Sequence, residues 1–178
     1  MARTIVRSTR NAIAAAMLLG IGTSRSLLAA SVDCTTLDLA SAASVLGVPK
    51  AKSLPFQGHH KQPPDNVDVF ACSFVEASVD PLARTLSYVV YTPIAKDLAS
   101  VYSSVSMPNI PGNPQKFSPG VGSQSTGWVR ASANGETFDG SIVFLGSTYF
   151  VNVKVSGMPS ADAAKKALIN AGKILAKS

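Results

Sequence analysis

Apolar residues recur along this chain in two periods, and each change of period marks the boundary of an element. Leu39, Ala42, Ala43 and Leu46 fall at helical spacing behind Thr35-Thr36-Leu37-Asp38, which reads as a capping box, and Gly47 with Pro49 supplies a stop. A helix is therefore expected over 37–46. Val67–Glu76 (VDVFACSFVE) and Arg84–Tyr91 (RTLSYVVY) are β-branched, apolar runs of strand type, and the short break at Asp80-Pro81 predicts an antiparallel hairpin. Thr92-Pro93 starts a second helix, with Ile94, Leu98, Val101 and Val105 on one face, ending before Pro108. Three more strand-type runs follow: Gly127–Ala133, Ser141–Leu145 and Thr148–Ser156. Turns at Asn134-Gly135 and Gly146-Ser147 divide them, the latter a two-residue hairpin signal. Ser160 caps a last helix with Asp162 at its positive end, Lys173 and Lys177 at its negative end, and Ala164, Leu168, Ala171 and Leu175 as its buried stripe.

Two stretches follow neither period and read as long loops, 47–66 and 107–125. The first holds Pro55, Gly58, Pro63 and Pro64, and the second packs four prolines and three glycines into nineteen residues. Loops of that length within a compact domain are commonly functional or disordered, so Met107–Ser125 reads as a candidate lid or equally as a mobile linker. The order α-β-β-α-β-β-β-α implies an α+β domain with an antiparallel sheet of about five strands and three helices. Ile142 and Phe144 alternate with Val143 and Leu145, so both sheet faces are expected to be covered, as in a layered sandwich.

The first thirty residues are read as an address. Arg3, Arg7 and Arg10 precede the apolar run Ala12–Gly22, which is too short for a bilayer span of roughly 20 residues. Cleavage of this export signal is expected near Ala30-Ser31, with Ala29 as a near alternative, leaving one domain over 31–178. Arg3, Arg7, Arg10 and Arg25 leave with the signal, so the formal net charge falls from +6 to +2. That argues against a nucleic-acid partner. Lys165, Lys166, Lys173 and Lys177 on the last helix read as a solvated face. Cys34 and Cys72 are the two cysteines. Without a CxxC spacing, and in an exported chain, they are expected to form a disulfide.

CTTLDLASAASVLGVP, FACSF, SPGVGSQSTGW and GSIVFLGSTYFVNVKVSG, followed by an Ala/Lys helix, stand in an order that resembles small secreted bacterial lipoproteins with a PsbP-like α/β sandwich. The resemblance implies an accessory, binding role in the periplasm or outside the cell. No small residue precedes Cys34, so the lipid anchor of such proteins is not carried over.

Candidate chemistry is sparse. His59 and His60, in GHHKQPPD, are the two histidines. Adjacent imidazoles can hold copper, nickel or zinc if the chain turns and further ligands join, although a solvated loop accounts for them more simply. There is no GxSxG elbow, HExxH, P-loop or dinucleotide turn, so no enzyme and no cofactor are expected. A small secreted hydrolase and a metal binder using His59 and His60 stand as alternatives. Trp128 alternates with Arg130 on one strand, and Phe150 shares a strand face with Lys154. These four form a possible aromatic and cationic binding face, unless Trp128 and Phe150 lie buried under a helix. The reading is a monomeric, exported, non-enzymatic binding or accessory protein with a protein or small envelope ligand as partner.

Overall fold

A computed structural model describes residues 32–54, 58–62, 67–80, 82–93, 98–105 and 113–178. The element order is α1 (Leu39–Leu46), β1 (Ala51–Ser53), β2 (Gly58–Gln62), β3 (Val67–Glu76), β4 (Thr85–Pro93), α2 (Leu98–Val105), β5 (Gln115–Phe117), β6 (Gln124–Ala131), β7 (Phe138–Leu145), β8 (Phe150–Met158) and α3 (Ala161–Leu175). The export signal over 1–30 and its cleavage point lie outside the described residues, as do positions 107–112 of the candidate lid. Among the described residues no helix is long and apolar enough to cross a membrane.

All eight strands join one antiparallel sheet in the order β1-β3-β4-β8-β7-β6-β5, with β2 also paired to β3. This overturns the expected α+β sandwich of about five strands and three helices. The sheet dominates the molecule, and only two helices, α1 and α3, form the layer on its covered face. The three additional strands come from the two stretches read as loops. β1 and β2 lie end to end along β3, opposite Phe74–Glu76 and Val67–Ala71, and β5 opposes Gly127–Val129 of β6. An edge strand needs only backbone pairing on one side. Short polar runs with prolines nearby therefore serve as edges without showing the alternation of a central strand.

The covered face is built from alternate strand positions: Phe74 and Cys72 on β3, Leu86, Tyr88 and Val90 on β4, Val151, Val153 and Val155 on β8, Ile142 and Phe144 on β7, and Val129 on β6. Helix α3 lays the expected stripe of Ala164, Leu168, Ala171 and Leu175 against them, together with Ala167, all at most 1% exposed. Ser160 caps α3 as expected, its hydroxyl accepting from the Ala163 N–H. The α1 cap differs from expectation. Asp38 takes the cap position and accepts from the Ser41 N–H at 2.7 Å, and Leu37 is fully buried ahead of the helix. A carboxylate that reaches the third N–H of the helix makes a cap upstream redundant.

Three ties hold the amino-terminal segment to the sheet. Cys34 and Cys72 form the disulfide, with their Cα atoms 5.6 Å apart. The Tyr88 hydroxyl donates to the Asp33 carbonyl at 2.6 Å. Arg84 Nη1 donates to the Leu46 and Gly47 carbonyls at the negative end of α1, both at 2.9 Å. The Gly146-Ser147 turn is longer than the two-residue hairpin expected. Leu145 pairs with Phe150, and buried Tyr149 turns inward so that its hydroxyl donates to the Leu175 carbonyl at 3.2 Å.

Two stability outcomes follow. Replacing both cysteines by serine opens a loop spanning a sequence separation of 38. It should lower unfolding free energy by about 4 kcal/mol, read by urea denaturation. Gly122 sits at φ 64°, where a Cβ would run into the Leu145 carbonyl oxygen. Gly122→Ala should therefore cost at least about 2 kcal/mol in the same assay, whereas Gly135→Ala, with open space around it, should cost less.

Candidate recognition face

The face of the sheet opposite α1 and α3 carries the other half of each alternation. β8 shows it most plainly: Val151, Val153 and Val155 point into the core, while Phe150, Asn152, Lys154 and Ser156 belong to the opposite face. The register across the sheet assembles one transverse row there. Lys116 of β5 stands opposite Trp128 of β6, Trp128 opposite Ser141 of β7, Ser141 opposite Lys154 of β8, Lys154 opposite Ser87 of β4, and Ser87 opposite Ser73 of β3. A parallel row holds Thr126, Val143, Asn152, Val89 and Ala71.

Trp128, Arg130, Phe150 and Lys154 therefore share one sheet face, but they do not form one patch. Phe150 is fully buried. Its ring stacks on Tyr91 at 4.5 Å and meets Tyr102 of α2 edge-on at 6.3 Å. With Val143, Leu98 and Leu145 these make a second, smaller apolar cluster that closes one end of the face. Phe150 is thus a core residue under a helix. Trp128 is only partly buried, and the Arg130 guanidinium lies 5.4 Å from its ring centroid in cation–π geometry. Lys154 and Lys116 are exposed. Asp139 is the register partner of Arg130.

Ser141 is buried at the centre of the row, 3% exposed, and its hydroxyl donates to Asn152 Oδ1 at 2.7 Å. An amide oxygen cannot take a proton from a serine at neutral pH, so this pair positions hydrogen-bonding groups and does not activate a nucleophile. Sequence reasoning missed Lys116, Ser141, Asn152 and Ser87. Two of them carry a visible signal: Asn152 alternates with valine in VNVKVS, and Ser87 stands between leucine and tyrosine in LSY, whereas Ser141 opens the apolar run SIVFL without alternation. Lys116 carries none, because it reaches the row only through β5.

The histidines are placed differently from a loop. GHHKQ forms β2, with His59 opposite Phe70 and His60 opposite Val69. Among the described residues no three histidine, cysteine or carboxylate groups gather as a metal site would require. A groove of about 490 Å³ runs between α1 and α3, lined by Ala40, Ser41, Ser44, Asn170 and Lys173 among others. It is a shallow helix–helix seam, with mostly small side chains on the α1 wall and Asn170, Lys173 and Ile174 on the α3 wall.

Comparison with protein-family models, with curated proteins and with solved structures finds no match to this chain.

All four tyrosines are held above their ordinary pKa of 10.0: Tyr88 by burial and by the Asp33 carboxylate, and Tyr91, Tyr102 and Tyr149 by burial. Their folded pKa values exceed the unfolded value, so the unfolded chain loses protons first as pH rises. The stability they contribute is intact below about pH 10 and falls above it. An alkaline titration followed by phenolate absorbance should therefore show one steep step that coincides with loss of circular dichroism. Four gradual titrations in a still-folded protein would contradict this.

Proposed function

We propose that this protein is a non-catalytic recognition module that receives an anionic partner on the open face of its sheet. The observation that carries the reading is the row Lys116–Trp128–Ser141–Lys154. It sets two exposed cations on either side of a partly buried indole, itself stacked with Arg130. Aromatic groups with one wet edge and cations on short, rigid spacing are the groups that dominate binding energy at recognition surfaces. A carboxylate is present on the same face in Asp139, but it stands opposite Arg130 rather than beside either lysine. The buried Ser141 hydroxyl is engaged by Asn152 Oδ1 at 2.7 Å, an amide oxygen and not a base, which argues against a serine nucleophile at the centre of the row.

The Cys34–Cys72 disulfide hints at an oxidising, extracytoplasmic setting. With the export signal read over 1–30, we place the module in the periplasm or outside the cell, where its partner would be a component of the envelope.

A photoreactive residue installed at exposed Ser156 on the open face should give a specific adduct in the producing cells. The same residue at exposed Asp162 on α3 should give none, and Lys154→Glu should remove most of the Ser156 adduct. Adducts confined to the α3 position, or a Ser156 adduct indifferent to Lys154→Glu, would sink the reading.

A further inference from the structure

The open face also specifies the class of partner, and this step rests on the recognition reading above: we infer that the ligand is an anionic polysaccharide, bound along the Lys116–Trp128–Ser141–Lys154 row. Three features of the face favour sugar rings. The first is its shape. Central strands of an antiparallel sheet offer a broad platform, and among the described residues the large apolar group on its open part is the Trp128 ring. An indole packs against the C–H face of a pyranose with little loss of side-chain freedom.

The second feature is the polar lining. Ser73, Ser87 and Asn152 lie at partly buried positions across β3, β4 and β8, with Thr126 on β6 and exposed Ser156 on β8. These hydroxyls and the amide both donate and accept, which suits sugar hydroxyls that do the same. A pyranose ring is about as long as the gap between neighbouring strands, so successive rings keep pace with successive strands of the row.

The third is charge. Lys116 and Lys154 stand three strands apart, roughly 14 Å at the usual strand spacing, with Trp128 between them. A short run of rings carrying carboxylate or sulfate groups places anions at both ends while one ring covers the indole. An acidic polypeptide would match the charge, but extended peptides are captured by pairing at a free sheet edge or by anchors in pockets, and the row lies across the middle of the face. An anionic membrane would need apolar groups to insert. Among the described residues the exposed large apolar side chains, Leu39, Val79 and Leu82, are on α1 and the β3–β4 connection, away from the row.

Trp128 is the single tryptophan, so its emission reports directly on the row. The exported chain is titrated with polygalacturonate and with dextran sulfate, and in parallel with neutral dextran, polyglutamate and phosphatidylglycerol vesicles. The expected result is a saturable emission change with at least one anionic polysaccharide, weakening as salt is raised. Dextran should give none, and polyglutamate should bind at least roughly tenfold more weakly at matched charge. Lys116→Ala and Lys154→Ala should each weaken polysaccharide binding about fivefold with the melting temperature unchanged. Trp128→Ala, followed by calorimetry, should abolish it.

Polyglutamate or vesicles binding as tightly as the polysaccharides would overturn the inference, as would silence with both anionic polysaccharides. The crosslinking experiment separates the two levels of failure. A protease-sensitive Ser156 adduct keeps the recognition reading and removes the polysaccharide. The absence of any open-face adduct removes both.

Discussion

The contact on which the rest of this structure depends is α3 laid across β6, β7 and β8. Its alanine and leucine stripe meets Val129, Ile142, Phe144, Val151 and Val153 in one continuous core, and each fully buried aliphatic side chain contributes roughly 1.5–3 kcal/mol. The approach is close. At Gly140 on β7 a Cβ would lie 2.9 Å from Leu168 Cδ1, so the bare backbone lets the helix seat itself. α1 then packs beside α3, and the disulfide and the Tyr88–Asp33 hydrogen bond fasten its leading segment to β3 and β4. The covered face is complete with two helices.

That arrangement decides what the other face can be. An antiparallel sheet tolerates water on one side provided its outward residues are polar, and the outward row here runs Ser73, Ser87, Lys154, Ser141, Trp128 and Lys116. Among the described residues it is the end nearest Phe150 that is closed, by Tyr102 of α2 against Phe150 and Val143, with Tyr91 stacked on Phe150. A closed aromatic end and an open polar centre therefore coexist on one face. Phe150 and Trp128, alike as sequence signals, have opposite fates because α2 reaches one and not the other. The recognition proposal draws on that asymmetry.

Much of the framework was legible beforehand. β3 has the same bounds in sequence and structure, the α3 stripe is buried as its period requires, and the two cysteines pair. The errors share a cause. The strand count fell short because β1, β2 and β5 are edges of three to five residues held by backbone pairing, which leaves no hydrophobic period to read. Both sheet faces were expected to be covered because Val143 and Leu145 alternate with Ile142 and Phe144, but those two residues serve the small α2 cluster rather than a second full layer. The alternation of Asn152, Lys154 and Ser156 with valine already pointed to an open face.

The sequence by itself determined the central strand β3, the capped α3 with its buried stripe, and the disulfide partners. These are properties of a few neighbouring residues, written in period and cap chemistry. Only the tertiary structure decided that β8 lies between β4 and β7, and that β5 closes the far edge. Strand order is set by backbone pairing between segments far apart along the chain, and no local pattern records it. That pairing is what places Lys154 against Ser141 and Lys116 against Trp128, so the candidate site exists as residues in the sequence and as a row only in the fold.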